Sequence, residues 1–433
     1  MDTQTVGILL LLGSFLTFVM LRIPVTFALI GSSVITALYL NLPIMAVWMR
    51  MTQGVQSFSL LAVPFFILAG EIMMRGGISQ RLVDFSDCIV GRFRGGMAYV
   101  NILASTFFGA VSGSTTADIS SVGATMIPLM EKAGYDRDFA INVTVTSATQ
   151  SMIIPPSHNM IIYCLAAGGV SAGRMFLGGI IPGICLAFSL MAVSAIIAAK
   201  RNYPKGKIYT IKEFFACAQS SLLGLMTIVI ILLGVCTGLF TATESAAIAC
   251  LYAFFLTFFV YREARIGVLK DILLGTCKTL AMVLSIIAAA SAFGYLLAFL
   301  KVPQIITAML LSITTSFVGL ILLINVMLLI LGCIMDVAPL IVITTPILFP
   351  VASDLGMDPV QFGAMMLLNL AVGACTPPVG LALFTGCAVG RMPVEKVMKG
   401  ILPFYAVMVV VTLLIAFVPW FSLFLPNLFM GIK

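Results

Sequence analysis

Charge is scarce in this sequence. Only 9% of its 433 residues are Asp, Glu, Lys or Arg, 61% are hydrophobic, and the mean hydropathy is +1.18. A soluble domain carries about 25% charged residues, so a water-facing polar surface is excluded. Histidine is nearly absent, with His158 the only one. No HExxH motif, no Ser/His/Asp arrangement at workable spacing and no paired intramembrane aspartates occur, which argues against a membrane enzyme. The ten cysteines form no CxxC and lie mostly in apolar runs (Cys164, Cys185, Cys236, Cys333), so they read as small apolar residues and not as a redox or metal framework. A cleavable leader is not expected either, since Asp2 stands where a leader is basic and no small-residue cleavage pattern follows.

What fills the chain instead is apolar runs of bilayer-spanning length, roughly 20 residues each. The pattern predicts an all-α polytopic membrane protein with ten crossings, at 5–21, 24–40, 60–75, 137–170 (broken), 175–199, 219–238, 242–261, 279–300, 359–390 (broken) and 400–418. Segments 96–130 and 317–352 are too long for one crossing and have polar or kinked centres, so they read as re-entrant hairpins. The net charge of +7 reports orientation and not nucleic acid. With both termini outside, 19 Lys and Arg residues fall on the inner side and 4 (Arg50, Arg174, Lys301, Lys433) on the outer side, as the positive-inside rule requires.

The two halves match at a constant offset of 222 residues: Pro128 with Pro350, Gly134 with Gly356, Asp136 with Asp358, and Pro155-Pro156 with Pro377-Pro378. "LAG" at 68–70 aligns roughly with "AFG" at 292–294, and Gly179 and Pro182 match Gly400 and Pro403 after a one-residue gap. The repeats are 1–199 (scaffold helices 1–75, arm helix 78–94, hairpin 96–130, broken helix 137–170) and 213–418 (scaffold helices 219–261, hairpin 317–352, broken helix 359–390), joined by a cytoplasmic linker, 200–212. Five crossings per half put the second half into the membrane from the opposite side. Inverted repeats with matching broken helices are a secondary-transporter signature.

Proline inside a helix frees backbone carbonyls, and in lipid these need protein, water or an ion. "IIPPSHN" (153–159) and "CTPPVG" (375–380) do this near mid-membrane. The tips "GAVSGSTTAD" (109–118) and "LGCIMDVAP" (331–339) face them, with Ser114 aligned to Asp336. Helix C-terminal ends attract cations and N-terminal ends attract anions. Two sodium sites are therefore expected: Ala110, Ser112, Ser151, Ile154 and Pro156 in the first half, and Gly332, Ile334, Gly373, Thr376 and Val379 in the second. Ser112, Ser114, Ser157, His158, Asn159 and Asp336 are the expected contacts of an anionic, hydroxyl-rich solute. Asp336 is an intramembrane acid and equally a good N-cap. Asp118 is expected to stabilise the start of its half-helix, and Glu71 and Glu244 to be interfacial or structural. The amphipathic segments 78–94 and 262–278 are expected to lie at the inner interface.

"LLAVPFFILAGEIM" (60–73), the "SGSTTAD" tip, "IIPPS", "GLFTATESAA" (238–247), "MDVAPLIVITTPILFP" (335–350) and "TPPVG" together resemble the large membrane subunit of tripartite ATP-independent periplasmic (TRAP) transporters, over essentially the whole chain. The resemblance implies an elevator-type ion-transporter fold in the bacterial inner membrane and coupling to Na+. It also implies a small four-helix membrane subunit and a soluble periplasmic substrate-binding protein. With no additional N-terminal segment, the small subunit is expected as a separate chain. By motif, Ser112, Ser157 and Asp336 become the expected substrate contacts. The "PPSHN" and "YCLAAGG" (163–169) stretches are most similar to sialic-acid members, with C4-dicarboxylates and other carboxylates as the alternative. A self-sufficient sodium–anion symporter without a binding protein stays open.

Overall fold

The computed structural model of the chain describes residues 3–262, 266–314 and 316–431, and it is all-helical apart from one isolated bridge between Arg94 and Lys205. Among the described residues seven helices are long and apolar enough to cross a membrane, or up to nine if two bent pairs each count as one span.

The helix boundaries recur at the offset that the prolines and glycines suggested. Helices Gly96–Ser112 and Thr115–Asp118, the latter continued by Ile119–Gly123 and Ala124–Lys132, form the first hairpin; Phe317–Ile334 and Val337–Asp354 form the second, with ends 222 residues on. Each hairpin leads through a short turn into a broken helix. The first consists of Arg137–Ala148, Gln150–Ile153 and His158–Ala166, and the second of Pro359–Ala374 and Leu381–Val389. The turns are built alike. Gly134 and Gly356 both sit at φ 86, and their amides and those of Tyr135 and Met357 close back onto the preceding helix. A left-handed residue after a helix end is the position glycine fills without strain. Both Pro-Pro bonds are cis.

Two sets of helix contacts stand out, and they also touch each other, Val337–Asp354 packing on Ile266–Phe299 and Gly96–Ser112 on Ala62–Arg75. In one, Val25–Tyr39 packs on the long helix Ile266–Phe299, as Ala242–Phe255 packs on Ala62–Arg75. In the other, the hairpins and broken helices interlock. His158–Ala166 packs on Val337–Asp354, Arg137–Ala148 on Val394–Phe417, and Pro359–Ala374 on Ala172–Lys200. Polar side chains pin these crossings: Tyr163 donates to the Pro359 carbonyl at 2.6 Å, and Gln361 donates to the Ile415 and Ala416 carbonyls at 3.1 and 3.0 Å.

Several expectations are corrected. Segment 262–278 is not a separate interfacial helix. Residues 263–265 lie outside the described residues, and from Ile266 the chain runs without a break to Phe299. The element that precedes the second hairpin, as Ile78–Val90 precedes the first, is Val302–Ile313, set off by Lys301 at φ 53 and started by a proline. The expected crossing at 219–238 corresponds to Ser221–Cys236, but a bend of 50° joins it to a preceding stretch, Ile211–Gln219, which Thr210 and Glu213 start with a capping box, so the linker is shorter than 200–212. Ile44–Val55 and Trp420–Met430 are further helices that the spanning-length criterion passed over, because 12 and 11 residues cannot cross a bilayer. The segment expected to continue the first broken helix to 170 ends at Ala166.

The linker is tied to the base of the first hairpin by charge. Arg201 bonds Asp136 at 2.9 Å and Asp138 at 3.1 Å, and the Tyr203 hydroxyl donates to Asp136 at 2.7 Å. The tyrosine bond first, and then Arg201, hold the Asp136 carboxyl below its ordinary range. A depressed acid contributes stability above its unfolded pKa, about 4, and that contribution is lost as pH falls through the folded value. Because Asp136 is largely exposed, the bond is worth about 0.5–1 kcal/mol. Tyr203→Phe should lower the melting temperature at pH 7 by about 1–4 °C, with the difference from the parent shrinking below pH 4 in melts across that range.

Candidate functional site

Each hairpin reverses at a capped tip. The first arm of hairpin one ends at Ser112 and Gly113 follows at φ 60; Ser114 then caps the second arm, its hydroxyl accepting from the Ala117 amide at 3.4 Å. At the equivalent point of hairpin two, Asp336 caps through Oδ1, which accepts from the Val337 amide at 2.8 Å. A Cβ on Gly113 would stand 2.8 Å from His158 Nδ1 and 3.2 Å from Ser157 Cα, so only glycine lets the tip sit on the start of helix His158–Ala166. Asn159 fastens the same contact, its Nδ2 donating to the Gly113 carbonyl at 3.0 Å.

A cavity of about 410 Å3 opens where these parts meet. Of the six expected solute contacts, Ser112, Ser114, His158, Asn159 and Asp336 line it. Ser157 does not: it is fully buried behind the tip, and its hydroxyl has no hydrogen-bond partner. The rest of the polar lining is Thr115, Thr116, Ser120, Thr279 and Glu71. No Lys or Arg lines the cavity, while two carboxylates do.

The expected cation ligands also converge by half. Gly109, next to Ala110, packs on Ser151, where an added Cβ would lie 2.8 Å from Ser151 Cα; Gly332 and Gly373 meet backbone to backbone. Ser151, Ile154 and Pro156 are buried at the first break. At the second break Thr376 is half-buried, whereas Ile334 and Val379 are exposed. There the amides of Val379 and Gly380 donate to the Cys333 carbonyl at 3.2 and 3.1 Å, and the Tyr405 hydroxyl donates to the Cys375 carbonyl.

Two acids stand differently from expectation. Glu71 pairs with Arg75 at 3.4 Å and also forms part of the cavity wall. Its place inside an apolar crossing was the available signal, but which face of that helix meets the hairpins is set by tertiary packing. Asp118 lies in the first turn of its half-helix, where a negative charge favours the helix start, but it is fully buried there, with the Ser105 hydroxyl beside its carboxylate. Glu244 is structural: it completes a capping box with Thr241.

Capped tips and broken helices around a polar cavity, inside a protein made of apolar helices, define a membrane transport protein. Residues 12–421 match the model of the tripartite ATP-independent periplasmic transporter, DctM component. The chain is 42% identical over 98% of each chain to an uncharacterized Salmonella typhimurium protein, YgiK. It is 38% identical to the Pseudomonas aeruginosa C4-dicarboxylate TRAP transporter large permease protein DctM, over 86% of this chain and 87% of that one. It is also 38% identical to the Vibrio cholerae sialic acid TRAP transporter large permease protein SiaM, over 88% and 89%. In fold it is similar to the Alcanivorax borkumensis YdaH transporter, with a TM-score of 0.63 at 13% identity over 88% of each chain. The chain belongs to the DctM family of TRAP transporter large permeases, and is a transport protein and not an enzyme.

Proposed function

We propose that this chain imports a sugar acid, sialic acid first, by sodium-coupled alternating access in the bacterial inner membrane, with both termini periplasmic. One observation carries the reading: the cavity offers hydroxyl and amide groups from Ser112, Ser114, Thr115, Thr116, Ser120, Thr279 and Asn159, the His158 imidazole and two carboxylates, and no Lys or Arg among the described residues lines it. Its volume suits a small-molecule site. A polyhydroxylated solute uses so many polar partners, while a short C4-dicarboxylate leaves several of them unpaired, at a cost. An anion entering a site lined by two acids, with no Lys or Arg among the described lining residues, needs cations beside it. The paired helix ends at Ser151 and Gly373 are where sodium supplies that charge.

The recurrence of helix boundaries at 222 residues supports an inverted repeat of two five-crossing halves with re-entrant hairpins. The two packing groups support an elevator, in which the hairpins and broken helices move as one body against the rest. The partners follow from the tripartite family: a separate small four-helix membrane subunit and a periplasmic binding protein that delivers the solute.

The test is uptake into proteoliposomes holding this chain and its small subunit, with and without the purified binding protein. Radiolabelled sialic acid should accumulate only with the binding protein, and a tenfold excess of succinate should not compete. Uptake by this chain alone would replace the reading with a self-sufficient symporter. Succinate in place of sialic acid on the binding protein would replace the solute.

A further inference from the structure

We propose that Asp118 anchors a further sodium site, separate from the two helix-end sites, inside the interface between the first hairpin and the first broken helix. Asp118 is fully buried, and its carboxylate has no closer partner among the described residues than the neutral Ser105 hydroxyl beside it. None of the ion pairs among them involves it. A buried carboxylate met only by a neutral hydroxyl costs several kcal/mol, so the fold keeps it where a ligand offsets that cost.

The surroundings supply the other ligands. The Ser105 hydroxyl faces the carboxylate from the first hairpin arm. Ser147, on the broken helix, donates to Ser105 at 3.2 Å and approaches Asn101 Oδ1 at 3.5 Å. One turn before Asp118, the Thr115 hydroxyl lies 3.3 Å from that of Ser151. All of these side chains are buried, and Thr115 also lines the cavity.

The acid has no counterpart in the second half. Leu340 stands 222 residues after Asp118, Met327 after Ser105 and Leu323 after Asn101, while Asn369, 222 after Ser147, bonds Asn325 at 2.7 Å instead. The carboxylate is therefore a feature of this half and not of the shared architecture. One carboxylate with hydroxyl and amide oxygens is a hard, oxygen-only ligand set. A single negative charge, in a chain whose described residues hold no group of three or more His, Cys, Asp or Glu side chains, matches a monovalent cation and not a divalent one.

The inference rests on the sodium coupling proposed above, and the test separates the two. Uptake by the complete assembly is measured against sodium concentration, together with the charge moved per solute, for the parent, Asp118→Leu and Ser105→Ala. Asp118→Leu installs the second-half residue and should lower both the Hill coefficient for sodium and the charge per solute by about one. Ser105→Ala should keep both values and weaken apparent sodium affinity about fivefold; it also serves as the informative variant should Asp118→Leu not fold. Unchanged sodium dependence in either folded variant overturns the site. Loss of one charge per solute with unchanged sodium dependence and a lost pH dependence assigns Asp118 to a proton, which also overturns it. A parent with no sodium dependence removes the coupling itself, and this site with it.

Discussion

Asp336→Ala is expected to reduce solute uptake about 100-fold while the protein still inserts and purifies normally. Asp336 is half-buried, lines the cavity, and uses Oδ1 to cap the second arm of its hairpin. Losing an N-cap costs about 1 kcal/mol of local stability. Losing a charged hydrogen-bonding group from a binding site costs about 1.5–3 kcal/mol, and at 1.4 kcal/mol per tenfold the upper end gives the 100-fold. The two roles separate with Asp336→Ser. Serine is an equally good cap, and the first hairpin already uses one at Ser114. If Asp336 meets the solute or its cation, the serine variant melts like the parent and transports as poorly as the alanine variant. Near-normal uptake by Asp336→Ser would reduce Asp336 to a cap.

The second large effect is at the crossing of Phe317–Ile334 with Pro359–Ala374. A Cβ on Gly373 would lie 2.7 Å from Gly332 Cα and 2.8 Å from its carbonyl carbon, and one on Gly332 would lie 3.1 Å from Gly373 Cα. Backbone cannot turn aside as a side-chain tip does, so the helices must separate. Overpacking of this kind costs about 1–3 kcal/mol, or several degrees of melting temperature. Gly373→Ala should therefore melt lower and lose most uptake, since the same crossing positions the second proposed cation site. Gly294→Ala is the control. No atom lies within 4 Å of its added Cβ, and alanine is the better helix former. A Gly373→Ala protein with the parent's melting point and uptake would show that the crossing tolerates a wider spacing.

The features that carry the site were legible because they break rules that lipid enforces. Adjacent prolines at 155–156 and 377–378, a serine–threonine run at 114–116 and an acid at 336 have no place in a plain spanning helix, so each marked a tip or a break. The constant spacing of Pro, Gly and Asp residues then aligned the halves, and the helix ends follow it closely. What escaped was set by packing and not by local pattern. Ile44–Val55, Val302–Ile313 and Trp420–Met430 are too short to span, and they leave large apolar side chains such as Trp48, Met309 and Trp420 exposed. The join at Ile266–Phe299 was split because Lys270, Asp271 and Lys278 look interfacial, yet they ride on a helix of 34 residues, about 51 Å long, which outreaches a ~30 Å hydrocarbon core. Ser157 was expected at the cavity because it follows the break, but the chain turns it behind the Gly113 tip. For Asp118, position after the tip suggested a charge that stabilises the helix start. Only the three-dimensional structure shows that it is fully buried, with Ser105 of the first hairpin arm beside it.

The most direct test of the account is solute uptake in proteoliposomes holding the complete assembly, with sodium the only variable. A cavity lined by two acids, with no Lys or Arg among its described residues, predicts uptake that needs an inward sodium gradient. It also predicts uptake accelerated by an inside-negative potential, each net charge contributing about 2.3 kcal/mol per 100 mV, and abolished when choline replaces sodium. Equal uptake in choline and in sodium would contradict it.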